Sequence, residues 1–232
     1  YIDEVIMGNV LSAGVGQAPA RQAAIFAGLD KSTHCMTINK VCGSGMKSIM
    51  LADQSIKLDQ SNFVIAGGME SMSNAPHYLK GSRSGTKLGN IKQIDGMIHD
   101  GLWDVYNQVH MGNHGESCAL KYKIGREEQD KYAELSYKRS QEAHNKNILA
   151  NEICDIVDAK GNSMDGADEE PFRVDFEKMR KLRSVFKKDG TITAANASTI
   201  NDGAVACLLS SEEKAMNLGY KPKARILDYS SF

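Results

Sequence analysis

The stretch Thr37-Ile-Asn-Lys-Val-Cys-Gly-Ser-Gly-Met-Lys-Ser-Ile holds the residues best placed to do chemistry. An apolar strand runs into a cysteine, and Gly43, Ser44 and Gly45 open what reads as a helix. Cys42 therefore falls at a tight strand-to-helix turn. A thiol at a helix N-terminus meets the positive end of the macrodipole and N–H groups with no helical partner, which favours the thiolate. Glycines let the backbone turn sharply and let a substrate approach closely. Several nucleophilic enzymes use this elbow, with neighbouring N–H groups facing an oxyanion. On residue types alone, a cysteine before a glycine pair is also a common structural arrangement, and both readings stand at this point.

The surrounding pattern predicts the elements that would position this turn. Val5–Val10 reads as a strand, and Pro19 at a first helical position opens a helix over Ala20–Leu29. Met36–Val41 is a second strand. The helix after it begins near Gly43, with Met46, Ile49, Met50 and Ile56 near helical spacing. Phe63–Ala66 is a third short strand, closed by Gly67 and Gly68. Strand, helix, strand, helix, strand predicts an α/β layered core with parallel strands.

From about Leu79 to Gly190 the character changes. Lys80 to Ile94 is rich in glycine and lysine and reads as exposed, irregular chain. Arg126 to Asn147 is the strongest helical segment. Positions 129, 132, 133, 136, 137, 140, 143 and 144 form its uncharged face, and Glu127–Lys131 and Glu134–Lys138 pair on the other. Gly125 stands at the N-cap, and Glu127, Glu128 and Asp130 suit the positive helix end. Gly161 to Glu170 is an acidic, turn-rich connector. Past Thr191 the α/β pattern returns: Val205–Leu209 predicts a buried strand, Ser211 caps a helix ending at Gly219, and Ala224 to Asp228 predicts a further strand. The expected division is residues 1–78 for the first part of the core, 79–190 for an inserted loop domain, and 191–232 for the return to the core and the start of a following half.

Over 232 residues, 41% are hydrophobic and 25% charged, a soluble globular balance. The net charge of −1 gives no global attraction to nucleic acid or an anionic membrane, and no apolar run reaches membrane-spanning length. Neither partner is expected. The five cysteines, Cys35, Cys42, Cys118, Cys154 and Cys207, lack C-x-x-C spacing, so a reducing compartment and mostly buried structural thiols are expected. Both ends read as cut: there is no initiator Met, and the last strand has nothing after it to pack against.

The nucleophile segment T-I-N-K-V-C-G-S-G-M-K-S resembles that of the thiolases. Four further segments match the family in order: G-N-V-L-x-A-G-x-G-Q-x-P-A-R-Q-A-A, A-G-G-M-E-S-M-S-N-A-P, H-M-G at 110–112, and T-A-A-N-A-S-T-I-N-D-G-A at 193–204. The resemblance implies the N-terminal half of a thiolase-type layered α/β core, five-stranded, with a large inserted loop domain. His110-Met111-Gly112 and Ala194-Ala195-Asn196-Ala197-Ser198 resemble the short-chain enzymes that join two acetyl-CoA into acetoacetyl-CoA or run the reverse thiolysis.

The same resemblance implies a set of site residues. Cys42 would carry the acyl group, and its backbone N–H would form part of an oxyanion hole. Coenzyme A would be held by Leu102, His110 and Met111 along the pantetheine channel. Arg173, Val174 and Asp175 would face the nucleotide, with Lys178 near phosphate and Ser198 near the pantetheine. Without the resemblance the basic run from Arg173 to Arg183 reads as a solvated loop face, the commoner fate of such runs. Tyr137, in the context S-Y-K-R-S, is counted with the coenzyme A site by similarity. The resemblance also places it with the carbonyls of Ala194, Ala195 and Ala197 around a potassium ion; the bland alternative is an aromatic packed on the core. His34, His77, His99, His114 and His144 carry no functional assignment. The resemblance further implies a homodimer or homotetramer, no covalent cofactor, and the mitochondrial matrix, with the cytoplasm as alternative.

Two departures weaken the match slightly: Gly43 where many family members have Ser or Ala, and Gly125 where a Ser or Thr cap is usual. The family's Gly-His-Pro histidine, second cysteine and Asn-Glu motif do not occur in these residues. The chain alone is therefore expected to be catalytically incompetent, and the reading frame is expected to continue. The competing readings are a broad-chain 3-ketoacyl-CoA thiolase, a ketoacyl synthase, and a non-catalytic thiolase-like subunit.

Overall fold

Val5, Ile6 and Met7 are all buried, which only a strand covered on both faces allows. They lie in Glu4–Gly8 (β1), flanked by two parallel strands, His34–Ile38 (β2) and Phe63–Ser71 (β3). Alternate residues of β1 serve opposite faces. Val5 and Met7 pack with Ala20 and Ala24 of the helix Pro19–Phe26 (α1). Ile6 packs with Val64, Ala66 and Ala52, the last from the helix Ser44–Lys57 (α2). Pro19 fills the first turn of α1, as its fixed φ allows, and the Ala20 N–H is satisfied by the Thr37 hydroxyl at 3.0 Å.

This computed structural model describes residues 1–85, 87–157, 160–164 and 168–231. A hairpin pairs His77–Leu79 (β4) with Gln93–Asp95 (β5), and the described residues between them are exposed. A π-helical turn spans Ile98–Leu102. Then come Trp103–Asp104 (β6), Val109–His110 (β7), Met111–Tyr122 (α3) and Arg126–Asn145 (α4). Ile156–Val157 (β8) pairs with Ser163–Met164 (β9), and two single turns come next, Glu170–Arg173 (α5) and Phe176–Met179 (α6). Asp202–Ser210 (β10) runs antiparallel to β3 along its whole length, and Ser211 caps Glu212–Asn217 (α7). The main sheet has the order β10-β3-β1-β2. Two compact units result, Tyr1–Trp103 with Ile200–Phe232, and Asp104–Thr199. The expected boundaries at 79 and 190 do not coincide with this division, because the β4–β5 hairpin stays with the first unit. No helix among the described residues is long and apolar enough to cross a membrane.

Several expectations are corrected. β3 does not close at Gly67 and Gly68 but runs through them to Ser71. A Cβ on Gly67 would lie 1.9 Å from the Val205 carbonyl oxygen, so the glycine marks close backbone approach and not a strand end. Of the expected apolar stripe of α2, Met50 is buried and Ile49 and Ile56 pack against the core, but Met46 is 67% exposed, and Ser44, Ser48, Ala52 and Ser55 are buried as well. Small residues at this spacing let the helix lie close to the sheet, and large ones would hold it off. On α4, Tyr132 and Ser136 face solvent and the charged Asp130 is buried. β10 forms at the edge of the sheet, yet Val205 and Leu208 are exposed. Ala224–Asp228 joins no ladder among the described residues. Among those residues the sheet has four strands where the resemblance implied five. Cys42, Cys118, Cys154 and Cys207 are exposed and Cys35 is half-buried, so the thiols are not core residues. Part of the acidic connector 161–170 lies outside the described residues.

A Cβ on Gly8 would fall 2.6 Å from Ser44 Cβ and 2.7 Å from the Gly45 nitrogen. Neither is the flexible tip of a side chain, so Gly8→Ala should push α2 off the sheet and cost about 1–3 kcal/mol. Urea unfolding measures this; an unchanged midpoint would show that the helix is not held by this contact.

Candidate active site

The turn between β2 and α2 is built from backbone strain and two side chains. Val41 has φ 47°, in the left-handed region, where a β-branched residue costs about 1–3 kcal/mol. The Asn39 side-chain oxygen accepts the Val41 N–H at 2.9 Å. The Ser44 hydroxyl accepts the Lys40 N–H at 2.8 Å and donates to the Val41 carbonyl at 2.6 Å. The backbone adds Gly43 N–H to Lys40 C=O and Ser44 N–H to Val41 C=O. Ser44 is 4% exposed, so water does not compete for these bonds. Cys42 stands at the apex, exposed, one residue before the Gly43 N-cap. The Cys42 N–H takes part in neither backbone bond of the turn. This is the accessible sulfur at a helix start that the sequence predicts.

Two more contacts fix the base of the turn. The Ser48 hydroxyl reaches the Gly45 and Gly67 carbonyls at 2.6 and 2.7 Å, joining α2 to β3. On the neighbouring loop, Glu70 accepts the N–H groups of Val10 and Leu11 and the Asn9 side-chain amide, at 2.9–3.0 Å. Asn9 N–H in turn bonds Ile38 C=O at the end of β2. Sequence pattern assigns no role to Ser44 or Glu70, although both sit inside the motifs that carry the family resemblance.

In the second unit the H-M-G motif has a local reason. His110 Nδ1 accepts the Gly112 N–H at 3.1 Å and caps α3, while its ring stacks on Phe186 with centroids 4.8 Å apart. A Cβ on Gly112 would lie 2.3 Å from that ring. Met111 is 48% exposed. Glu116, further along α3 and 7% exposed, accepts the N–H groups of Thr191 and Ile192 and the Thr191 hydroxyl at 2.8–2.9 Å. Asn196 accepts Thr193 N–H at 2.7 Å, and Ala197 N–H bonds Thr193 C=O at 3.0 Å. The loop carrying Ala194, Ala195, Ala197 and Ser198 is thereby fixed, with Thr193 fully buried beneath it.

Of the nucleotide candidates, Arg173 is exposed and paired with Glu169 at 2.5 Å. The Asp175 carboxylate caps α6, accepting Glu177 and Lys178 N–H at 3.0 Å. Val174 is half-buried and Lys178 exposed. Tyr137 donates to Glu170 at 3.2 Å and meets Phe176 edge-on at 6.3 Å. Burial, then the Glu170 charge and this bond, raise its phenol above the ordinary value. Leu102, half-buried, ends the π-helical turn of the first unit. Sequence pattern does not single out Glu116, Arg126 or Asn196 as residues that build the site. Asp130 suits the helix dipole by position, but it is buried against Arg126 and Asn196.

Burial pushes the Glu116 carboxyl up, but the Ile192 and Thr191 donors and the Lys187 charge outweigh it and leave the group below its ordinary value. A depressed folded value means the unfolded state binds more protons in acid. The contribution is therefore present above the ordinary carboxyl pKa and is lost as pH falls through the folded one. Glu116→Gln, which turns an amide NH2 toward N–H donors, should lower stability at neutral pH by about 1–3 kcal/mol. It should also flatten the loss of stability between about pH 5 and 3. Denaturant titrations across that range test it, and parallel wild-type and variant curves would refute it.

Comparison with known proteins agrees with the features of both units. The thiolase N-terminal domain profile matches residues 1–213. An acetyl-CoA acetyltransferase of Arabidopsis thaliana is 51% identical over 99% of this chain and 56% of its own length. The mitochondrial acetyl-CoA acetyltransferase of Rattus norvegicus is 52% identical over 99% of this chain and 54% of its own. A crystal structure of a thiolase from Ascaris suum in complex with coenzyme A superposes with a TM-score of 0.88 at 42% identity, covering 95% of this chain and 57% of that one. The chain thus spans a little over half the length of the curated relatives it matches. With its α/β core, its cysteine elbow and a profile match over nearly every residue, the chain belongs to the thiolase family and carries that family's N-terminal domain.

Proposed function

We propose that the full-length protein is an acetyl-CoA C-acetyltransferase working through an acetyl-Cys42 intermediate. The observation that carries this reading is the exposed Cys42 sulfur at the head of α2, on a turn held by Asn39 and Ser44. The Cys42 thiolate attacks the thioester carbonyl carbon. The carbon–sulfur bond to coenzyme A breaks, coenzyme A leaves, and the acetyl group stays on Cys42. A second acetyl-CoA loses a proton from its α-carbon, and that carbon attacks the acetyl carbon. Acetoacetyl-CoA forms as the Cys42 thioester bond breaks. The Cys42 N–H donates to the oxygen that becomes negative in each addition.

Coenzyme A binding is assigned to the second unit with Leu102: Arg173, Val174, Asp175 and Lys178 at the nucleotide end, and His110, Met111, Tyr137 and Ser198 toward pantetheine. The coenzyme-bound relative and the well-tethered 191–198 loop support this assignment. Potassium is assigned to the Tyr137 oxygen with the carbonyls of Ala194, Ala195 and Ala197, as the family resemblance implies. Neutral oxygens suit a hard cation, and the nearby Glu170 carboxylate supplies negative charge. When bound, the ion would stiffen this loop. Assembly as a homodimer or homotetramer follows from the family resemblance. A mitochondrial matrix location draws support from relatives named mitochondrial.

Brief incubation of the full-length protein with acetyl-CoA, followed by intact mass measurement, should reveal one acetyl adduct that is lost in Cys42→Ser. Persistence of the same adduct in that variant would remove Cys42 from the mechanism. Exchanging potassium for sodium should raise the KM for acetyl-CoA in the wild type by about two- to tenfold, with the response absent in Tyr137→Phe. A Tyr137→Phe protein that still responds fully would move the ion elsewhere.

A further inference from the structure

Arg126, at the start of α4, directs its guanidinium to separate pieces of the second unit. Nη1 donates to the Leu182 carbonyl at 2.8 Å and Nη2 to the Met179 carbonyl at 3.0 Å, gripping the turn that follows Lys178. Nε donates to Asp130 Oδ2 at 2.7 Å, one helical turn on. Asp130 is 9% exposed, and its other oxygen accepts the Asn196 side-chain amide at 2.9 Å. Asn196 also donates to Thr191 C=O at 3.1 Å and accepts Thr193 N–H at 2.7 Å, which ties it into the loop before Ser198. One ion pair on a single turn of α4 therefore connects the 176–182 segment to the 191–198 loop.

We propose that Arg126 and Asp130 are positioning residues that set the spacing between the nucleotide and pantetheine ends of the coenzyme A site. The proposal rests on the assignment of those two segments given above. Both residues act through the segments they hold and not by touching the ligand. Coenzyme A is one molecule whose two ends must be held at once, so capture of the second end is an intramolecular event. Its benefit depends on the two segments standing at the right separation. Loosening the pair costs that benefit but leaves each segment's own contacts intact. Lysine keeps the charge at 126 but cannot send a planar fork to two carbonyls and a carboxylate together. Asparagine at 130 turns an NH2 group toward either Arg126 or Asn196.

The test uses the full-length protein with Arg126→Lys and Asp130→Asn, titrated calorimetrically with coenzyme A, adenosine 3′,5′-bisphosphate and pantetheine. Binding of intact coenzyme A should weaken at least about tenfold in both variants, while each fragment stays within about twofold of wild type. Fragments that weaken as much as the whole molecule, or coenzyme A affinity that does not change, would overturn the positioning role. Amide hydrogen exchange without ligand gives an independent reading. Residues 179–184 and 191–197 should exchange faster together in the variants while α3 is unchanged, and unaltered exchange there would also overturn it. A wild-type protein that binds none of the three ligands overturns the functional reading itself, whereas unchanged variants of a protein that binds coenzyme A overturn only the spacing role.

Discussion

The first turn of α2 can present a cysteine to solvent because its backbone lies in direct contact with the sheet beneath it. Gly8 at the end of β1 leaves no room for a Cβ against Ser44 and Gly45, and four of the five buried residues of the helix are serines or an alanine. The Ser44 and Ser48 hydroxyls turn that proximity into hydrogen bonds to the turn and to β3. A left-handed valine beside Cys42 is an unfavourable conformation, and it persists because the bonds around it over-determine the turn. Remove the close approach, and the same residues would relax to an ordinary strand-to-helix loop with the sulfur aimed elsewhere.

A second device recurs in both units. Buried or half-buried carboxylates gather the N–H groups of loop residues. Glu70 does this for residues 9–11, and Glu116 for residues 191 and 192. Asp130 holds Asn196 while it balances Arg126. Charge-assisted bonds of this kind are about twice as strong as neutral ones, and a donor left unpaired at such a site bears the full desolvation cost. Order in these loops is thus electrostatic, and it is specific in direction as a hydrophobic contact is not.

The local signals were legible in the sequence. Pro19 opens α1, Ser211 caps α7, and Glu127–Lys131 and Glu134–Lys138 pair on α4 as their spacing requires. The parallel order of the first three strands follows from alternating strand and helix segments, and the strand-to-helix junction at Cys42 is legible too, although a left-handed Val41 and not the glycines makes its turn. The helix start, the cap and the ion pairs are decided by neighbours within about one helical turn, where chain geometry leaves few choices.

Tertiary structure decided the rest, because burial depends on which distant segment arrives. Gly67 and Gly68 look like a strand end in sequence, yet lie within β3 because β10, far along the chain, passes against them. Val205–Leu209 looks like a buried strand, yet lies at an edge with Val205 and Leu208 exposed. Asp130 looks like a helix-dipole residue until Asn196 and Arg126 close around it. The sequence by itself determined that Cys42 would stand where a strand meets a helix, because both elements are set by local pattern. Only long-range packing determined which carboxylates hold the 191–198 loop, since Glu116 and Asp130 stand 75 and 66 residues from Thr191 and Asn196 and no spacing rule connects them.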